Sequence, residues 1–188
     1  MTSELQRQKY MRRFATLDVN GSGFLELADY VTVAVNMCVA SGVAADSTLG
    51  ASLVNAYRQA FERLAGNSGS IEDARVDLQT FVDFMGSALA GRPDVFDLGI
   101  KPIADLIVDV CDIDRDHHLD ESDFFRFLGS YAVSESEAMA AARRLGIGPT
   151  DLISREEFVD HSRNFYCGDD PSDPGNWLFG DISVLIEG

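Results

Sequence analysis

Carboxylates stand at positions 1, 3, 5, 9 and 12 of the twelve-residue stretch Asp112-Ile-Asp-Arg-Asp-His-His-Leu-Asp-Glu-Ser-Asp123, with apolar Leu119 at position 8. Ca²⁺ is a hard cation that takes about six to eight oxygens in a flexible shell. A loop of this length supplies them from positions 1, 3, 5, 7, 9 and 12, the seventh through a backbone carbonyl. The stretch can therefore present Asp112, Asp114, Asp116, the His118 carbonyl, Asp120 and Asp123. A second window, Asp18 to Asp29, can present Asp18, Asn20, Ser22, the Phe24 carbonyl, Glu26 and Asp29, with Leu25 at position 8. It keeps Gly23 at position 6, where the sharp turn calls for positive φ. The central window has His117 there, which tolerates that conformation at a cost on the order of 1 kcal/mol.

Helices must hold such loops, and the flanks predict them. Ile107, Val108 and Cys111 precede the central loop, and Phe124, Phe127 and Leu128 follow it, each trio on one helical face. Tyr10, Phe14 and Leu17 precede the first loop, and Tyr30, Val33 and Ala34 follow at the same spacing. A chance acidic turn would not repeat its helical neighbours. The unit is helix, calcium loop, helix, the EF-hand pattern, and such hands pair through a short β-contact at position 8.

Two further copies are expected. Leu53, Tyr57, Phe61 and Leu64 lead into a second loop, and Phe81, Phe84 and Met85 leave it. With Val76 at position 8, its positions 1, 3, 5 and 12 are Gly69, Ile71, Asp73 and Thr80, poor calcium ligands in a connection about four residues too long. Ser134 to Glu137 reads as a capping box that opens the next helix. Met139 and Leu145 then lead to a fourth loop with Ile153 at position 8 and Glu157 at 12, but glycines, Gly146 and Gly148, at 1 and 3. Both loops are expected to be hands in shape without metal, although Thr150, Ser154 and Glu157 carry oxygens. Ala90-Gly-Arg-Pro93 breaks a helix near mid-chain. The expected architecture is all-α: an N-terminal lobe over residues 1–90 and a C-terminal lobe over 91–188, packed together, with two hands each.

A chain of 188 residues with 46% hydrophobic content can bury a sizeable core. The formal charge of −16 argues against nucleic acid and anionic membranes as partners, and its self-repulsion favours a monomer. Cys38, Cys111 and Cys167 are too few and scattered for a disulfide framework. With no signal-peptide pattern, no myristoylation glycine and no membrane-spanning run, the expectation is a soluble cytoplasmic protein. No phosphate loop or nucleophile motif marks an enzyme. His117 and His118 raise zinc, but zinc prefers a closed N and S tetrahedron, and Cys111 belongs to an apolar helical face. His161 is expected to be merely packed or exposed.

The tail Phe165-Tyr-Cys-Gly-Asp-Asp-Pro-Ser-Asp-Pro-Gly-Asn-Trp-Leu-Phe-Gly180, four hands and the odd second loop resemble the bacterial calerythrin-type relatives of sarcoplasmic calcium-binding proteins. The resemblance covers nearly the whole chain. It implies a compact helical calcium buffer or signal modulator. Members commonly keep a fourth site, from which Gly146 and Gly148 depart. Asp29 and Asp123, one methylene shorter than Glu at position 12, favour a smaller shell, hence sites shared between Ca²⁺ and Mg²⁺. The alternative is a calcium sensor that opens an apolar groove and regulates a protein target. Trp177, Leu178 and Phe179 are then either a plug for that groove or a displaceable lid.

Overall fold

Ser3 opens the first helix. Its hydroxyl accepts from the Gln6 N–H while the Gln6 side chain accepts from the Ser3 N–H, a reciprocal capping box that starts α1 (Glu4–Leu17). The computed structural model describes residues 2–66 and 70–183. After the first loop come β1 (Phe24–Leu25) and α2 (Leu27–Ala40). The second hand is α3 (Thr48–Ala65), a 3-10 turn (Ile71–Asp73), β2 (Val76–Asp77) and α4 (Leu78–Leu89). The helix breaks at Ala90, as expected, but the linker then carries a helix of its own. Pro93 sits in the first turn of α5 (Pro93–Gly99), where its missing N–H costs nothing. The third hand is α6 (Lys101–Cys111), β3 (His118–Leu119) and α7 (Glu121–Gly129). The fourth is α8 (Glu135–Leu145), β4 (Ile153–Ser154) and α9 (Arg155–Cys167), followed by a 3-10 turn at Pro174–Trp177.

The loops pair as the position-8 register requires. β1 and β2 are antiparallel with Leu25 opposite Val76, and β3 and β4 are antiparallel with Leu119 opposite Ile153. All four of these side chains are buried. The helical faces behave likewise: every residue of the flanking sets is buried except the half-buried Phe84 and Met139. Aromatic rings join the hands edge to face, Phe14 on Phe81 at 5.8 Å and Phe127 on Phe158 at 5.3 Å between centroids. Contacts of α3 with α6, and of α1 with α9, tie the first two hands to the last two. Among the described residues, no helix is long and apolar enough to cross a membrane.

The polar side of α1 faces inward too, onto the C-terminal segment. Lys9 is fully buried, and its ammonium donates to the Asn164 carbonyl (3.0 Å), the Gly168 carbonyl (2.9 Å) and Asn176 Oδ1 (3.0 Å). Tyr10 donates to the Tyr166 carbonyl at 2.7 Å, and Arg12 Nε to the Phe179 carbonyl at 2.7 Å. Ser134 caps α8 through the Glu137 N–H, but the expected reciprocal bond is missing. Glu137 instead pairs with Arg12 at 2.6 Å and accepts from the Asp181 N–H at 3.1 Å, so it seats the tail. Leu178 and Phe179 are buried in the core, while Trp177 is half-buried with Arg144 over its ring.

Burial lowers Lys9 to about 8, with Asp173 and Asp169 pulling the other way. The folded state thus binds fewer protons than the unfolded chain between about pH 8 and Lys9's ordinary value of 10.5. Stability from this group rises with pH across that window. Buried thiols and phenols have the opposite sense, since burial raises Cys111 to about 12 and Cys167 to about 11. They cancel in a comparison with Lys9→Met. Urea unfolding at pH 8 and pH 10 is expected to show the native chain gaining on that variant as pH rises.

Candidate metal centre

Asp112 ends α6 and is buried, and both its oxygens are committed to the loop backbone. Oδ1 accepts from the Arg115 N–H at 2.7 Å and Oδ2 from the His117 N–H at 3.0 Å. Asp114 accepts from the Asp116 N–H at 3.3 Å, and Asp116 from the His118 N–H at 2.8 Å. These bonds curl the loop so that Asp112, Asp114 and Asp116 each bring one oxygen within 4.8 Å of the others. Three hard oxygen donors converging on one point form a donor set suited to Ca²⁺.

The first loop repeats the scheme. Asp18 Oδ1 accepts from the Ser22 N–H at 3.0 Å and Oδ2 from the Gly23 N–H at 2.9 Å, the same bond from position 6 to position 1. Asn20 Oδ1 also accepts from the Ser22 N–H, at 2.8 Å, and the Ser22 hydroxyl donates to the Phe24 carbonyl at 3.0 Å. Positions 1, 3, 5 and 7 are thereby drawn together, with fewer charges than in the central loop.

The backbones match where the residues do not. Gly21 and Gly23 have φ of 66° and 79°, and Arg115 and His117 at the equivalent positions have 62° and 69°. Positive φ at His117 was expected; at Arg115 it was not, because position 4 carries no ligand and so no motif letter. A side chain in this region costs about 1–2 kcal/mol, and glycine's extra unfolded entropy takes back about 0.5–1. Arg115→Gly and His117→Gly are each expected to stabilise the metal-free protein by about 0.5–1 kcal/mol in urea unfolding.

Position 12 serves a second purpose. Asp29 accepts from the Glu26 N–H at 2.9 Å and from the Asn20 side chain at 2.8 Å. Asp123 accepts from the Asp120 N–H, while Asp120 in return caps the Asp123 N–H at 2.7 Å. Burial pushes both position-12 carboxyls up, opposed by these N–H donors and, at Asp123, by Arg126. Arg126 pairs directly with Asp123 and Arg75 with Glu26 at 2.7 Å, so a cation at either loop meets a resident guanidinium. Sequence reasoning missed both arginines. The only signal was Arg126 three residues beyond Asp123 on one helix.

The second and fourth loops use position 9 and position 12 as caps alone. Asp77 caps the Thr80 N–H at 2.8 Å, and Ser154 and Glu157 form a capping box. Gly69 lies outside the described residues. Ile71 and Asp73 fall in the 3-10 turn. Gly146 ends α8 at φ 79°, and Gly148 exchanges backbone hydrogen bonds with Asp151. Thr150 and Asp151 are exposed. Cys111 is fully buried, and burial raises its thiol to about 12. His161 is half-buried, and burial lowers it.

The chain is similar along nearly its full length to known proteins. It is 24% identical over 169 residues to calerythrin of Saccharopolyspora erythraea, covering 89% of this chain and 96% of that protein. It is 26% identical over 179 residues to the luciferin-binding protein of Renilla reniformis, covering 93% of each. Among solved structures, the calcium-binding protein of Streptomyces coelicolor superposes with a TM-score of 0.70 at 25% identity, over 88% of this chain and 99% of the other. No family model matches. The paired helix–loop–helix units, the converging aspartates and these relatives agree: the chain has an EF-hand fold and is similar along nearly its whole length to calcium-binding EF-hand proteins such as calerythrin.

Proposed function

We propose that this chain captures about two calcium ions, one at residues 18–29 and one at 112–123, and acts as a calcium buffer or signal modulator, with Mg²⁺ competing for the same loops. The observation that carries this is the convergence of Asp112, Asp114 and Asp116, on a backbone that the first loop reproduces. Asp18, Asn20, Ser22, the Phe24 carbonyl, Glu26 and Asp29 would hold the first ion. Asp112, Asp114, Asp116, the His118 carbonyl, Asp120 and Asp123 would hold the second. When bound, the ion supplies charge neutralisation, and the chain's part is to order the loops and the cap at position 12. Residues 1–90 and 91–188 are the two lobes in this proposal.

Buried Leu178 and Phe179 support the buffer, because they occupy the apolar centre that a target helix would need. The Streptomyces coelicolor protein is described in terms of calcium-mediated regulation, which supports a sensor and would require the tail to leave. Calorimetry on chelator-stripped protein is expected to find two calcium sites weakened by millimolar Mg²⁺. No binding would sink the proposal. Hydrophobic-dye binding is expected to stay level as calcium is added, and a rise would move the assignment to a sensor.

A further inference from the structure

A cavity of about 180 Å³ lies inside the bundle, apart from the calcium loops, walled by residues of α1–α7, α9 and the tail. An engineered apolar cavity of about 150 Å³ stays dry and admits benzene. This one therefore has room for a ring and a short chain. Phe127 and Phe158 form part of its apolar wall, and half-buried Ala88 and Ile103 border it on the side of α4 and α6.

Two arginines stand on this wall, the exposed Arg63 and the buried Arg13. Arg13 is buried, and among the described residues no carboxylate pairs with it. Its neighbour Arg12, by contrast, has Glu137 at 2.6 Å. Arg13 has five donors in a fixed fork. Its side chain bonds Thr16 Oγ1 and the Tyr131 hydroxyl, each at 3.4 Å, beyond the range of good N–H···O geometry, and also the Tyr166 side chain. Otherwise it lies over the rings of Phe179 (4.1 Å) and Tyr131 (4.6 Å). The phenols of Tyr57 and Tyr166 share the wall. A void costs stability in proportion to its volume, and a buried cation held only by phenols, a hydroxyl and ring faces has no counter-charge beside it. Both costs fall in the same place, and one molecule could relieve both.

We propose that this cavity is a binding site for a small monocarboxylate with an apolar body, an aromatic or short aliphatic acid. The carboxylate meets the Arg13 guanidinium, and the body fills the void between Phe127 and Phe158. Arg13 supplies the charge and the phenols supply hydrogen bonds, so the acid is preferred to a neutral molecule of the same shape.

The test is calorimetric titration of the full chain at pH 7 with 3-phenylpropionate and with its near-isosteric amide, 3-phenylpropionamide. The acid is expected to bind at least about tenfold more tightly than the amide, since charge-assisted hydrogen bonds are roughly twice as strong as neutral ones. Arg13→Met should level the two affinities while keeping the amide's. Ala104→Phe, which puts a ring into the void, should abolish binding of both. Equal affinities in the native chain, or no binding of either probe at millimolar concentration, overturn the proposal. The native-chain ratio needs no variant, so it decides even where Arg13→Met fails to fold.

Discussion

Asp112→Asn is expected to weaken calcium binding at residues 112–123 by about a hundredfold, because ligand charge count sets affinity in such loops over several decades. Two separate losses contribute. The cluster with Asp114 and Asp116 falls from three carboxylates to two. The second loss is local. Both oxygens of Asp112 accept backbone N–H groups, from Arg115 and His117, and an amide can accept on only one side. One N–H would then face an N–H. Leaving a buried donor unpaired costs about 1–3 kcal/mol, here at residues already held at positive φ. Calorimetry reads the first loss, and amide exchange at Arg115 and His117 in calcium-free buffer reads the second. Unchanged affinity would remove the central loop from the proposed function. Unchanged exchange would leave Asp112 a ligand only.

Phe179→Ala is expected to destabilise the protein by about 3–5 kcal/mol, the usual cost of deleting a buried ring. The ring meets Phe127 at 5.7 Å, Tyr131 at 5.6 Å, Phe165 at 4.9 Å and Tyr166 at 6.1 Å. It also carries the Arg13 guanidinium on its face. Its removal therefore leaves a hole in an aromatic cluster that spans α7, α9 and α1. At about 2–4 °C per kcal/mol for a chain of this size, the melting temperature should fall by about 6–20 °C. A drop of only a degree or two would mean that the tail sits lightly on the core, as a lid would.

Much of the fold was legible because its signals are local. Helical spacing of apolar residues marked the faces that flank the four loops, and counting to position 8 gave the partners of Leu25 and Leu119. The turn at His117 was legible because its position is defined by its neighbours' ligand chemistry. What escaped depends on partners far along the chain. Lys9, Arg12 and Arg13 look like the solvated side of an amphipathic helix, yet they are buried against residues more than a hundred positions away. Glu137 looked like half of a capping box, and Arg12 and the Asp181 N–H claim it instead. Retained acids at position 9 and position 12 were ambiguous for a different reason. Helix capping and metal ligation ask for the same residues there, and Asp77 and Glu157 show capping alone.

The pairing of β1 with β2 and β3 with β4 couples each well-supplied loop to one that lacks carboxylates at positions 1 and 3. Cooperativity needs a second binding event for the first to assist. If only the two proposed loops bind, the neighbour across each short sheet has no ion to recruit. On the proposed sites, saturation would climb gradually with free calcium, each loop filling to its own affinity. A dose–response of that shape reports the level of the ion across a broad range and marks no threshold.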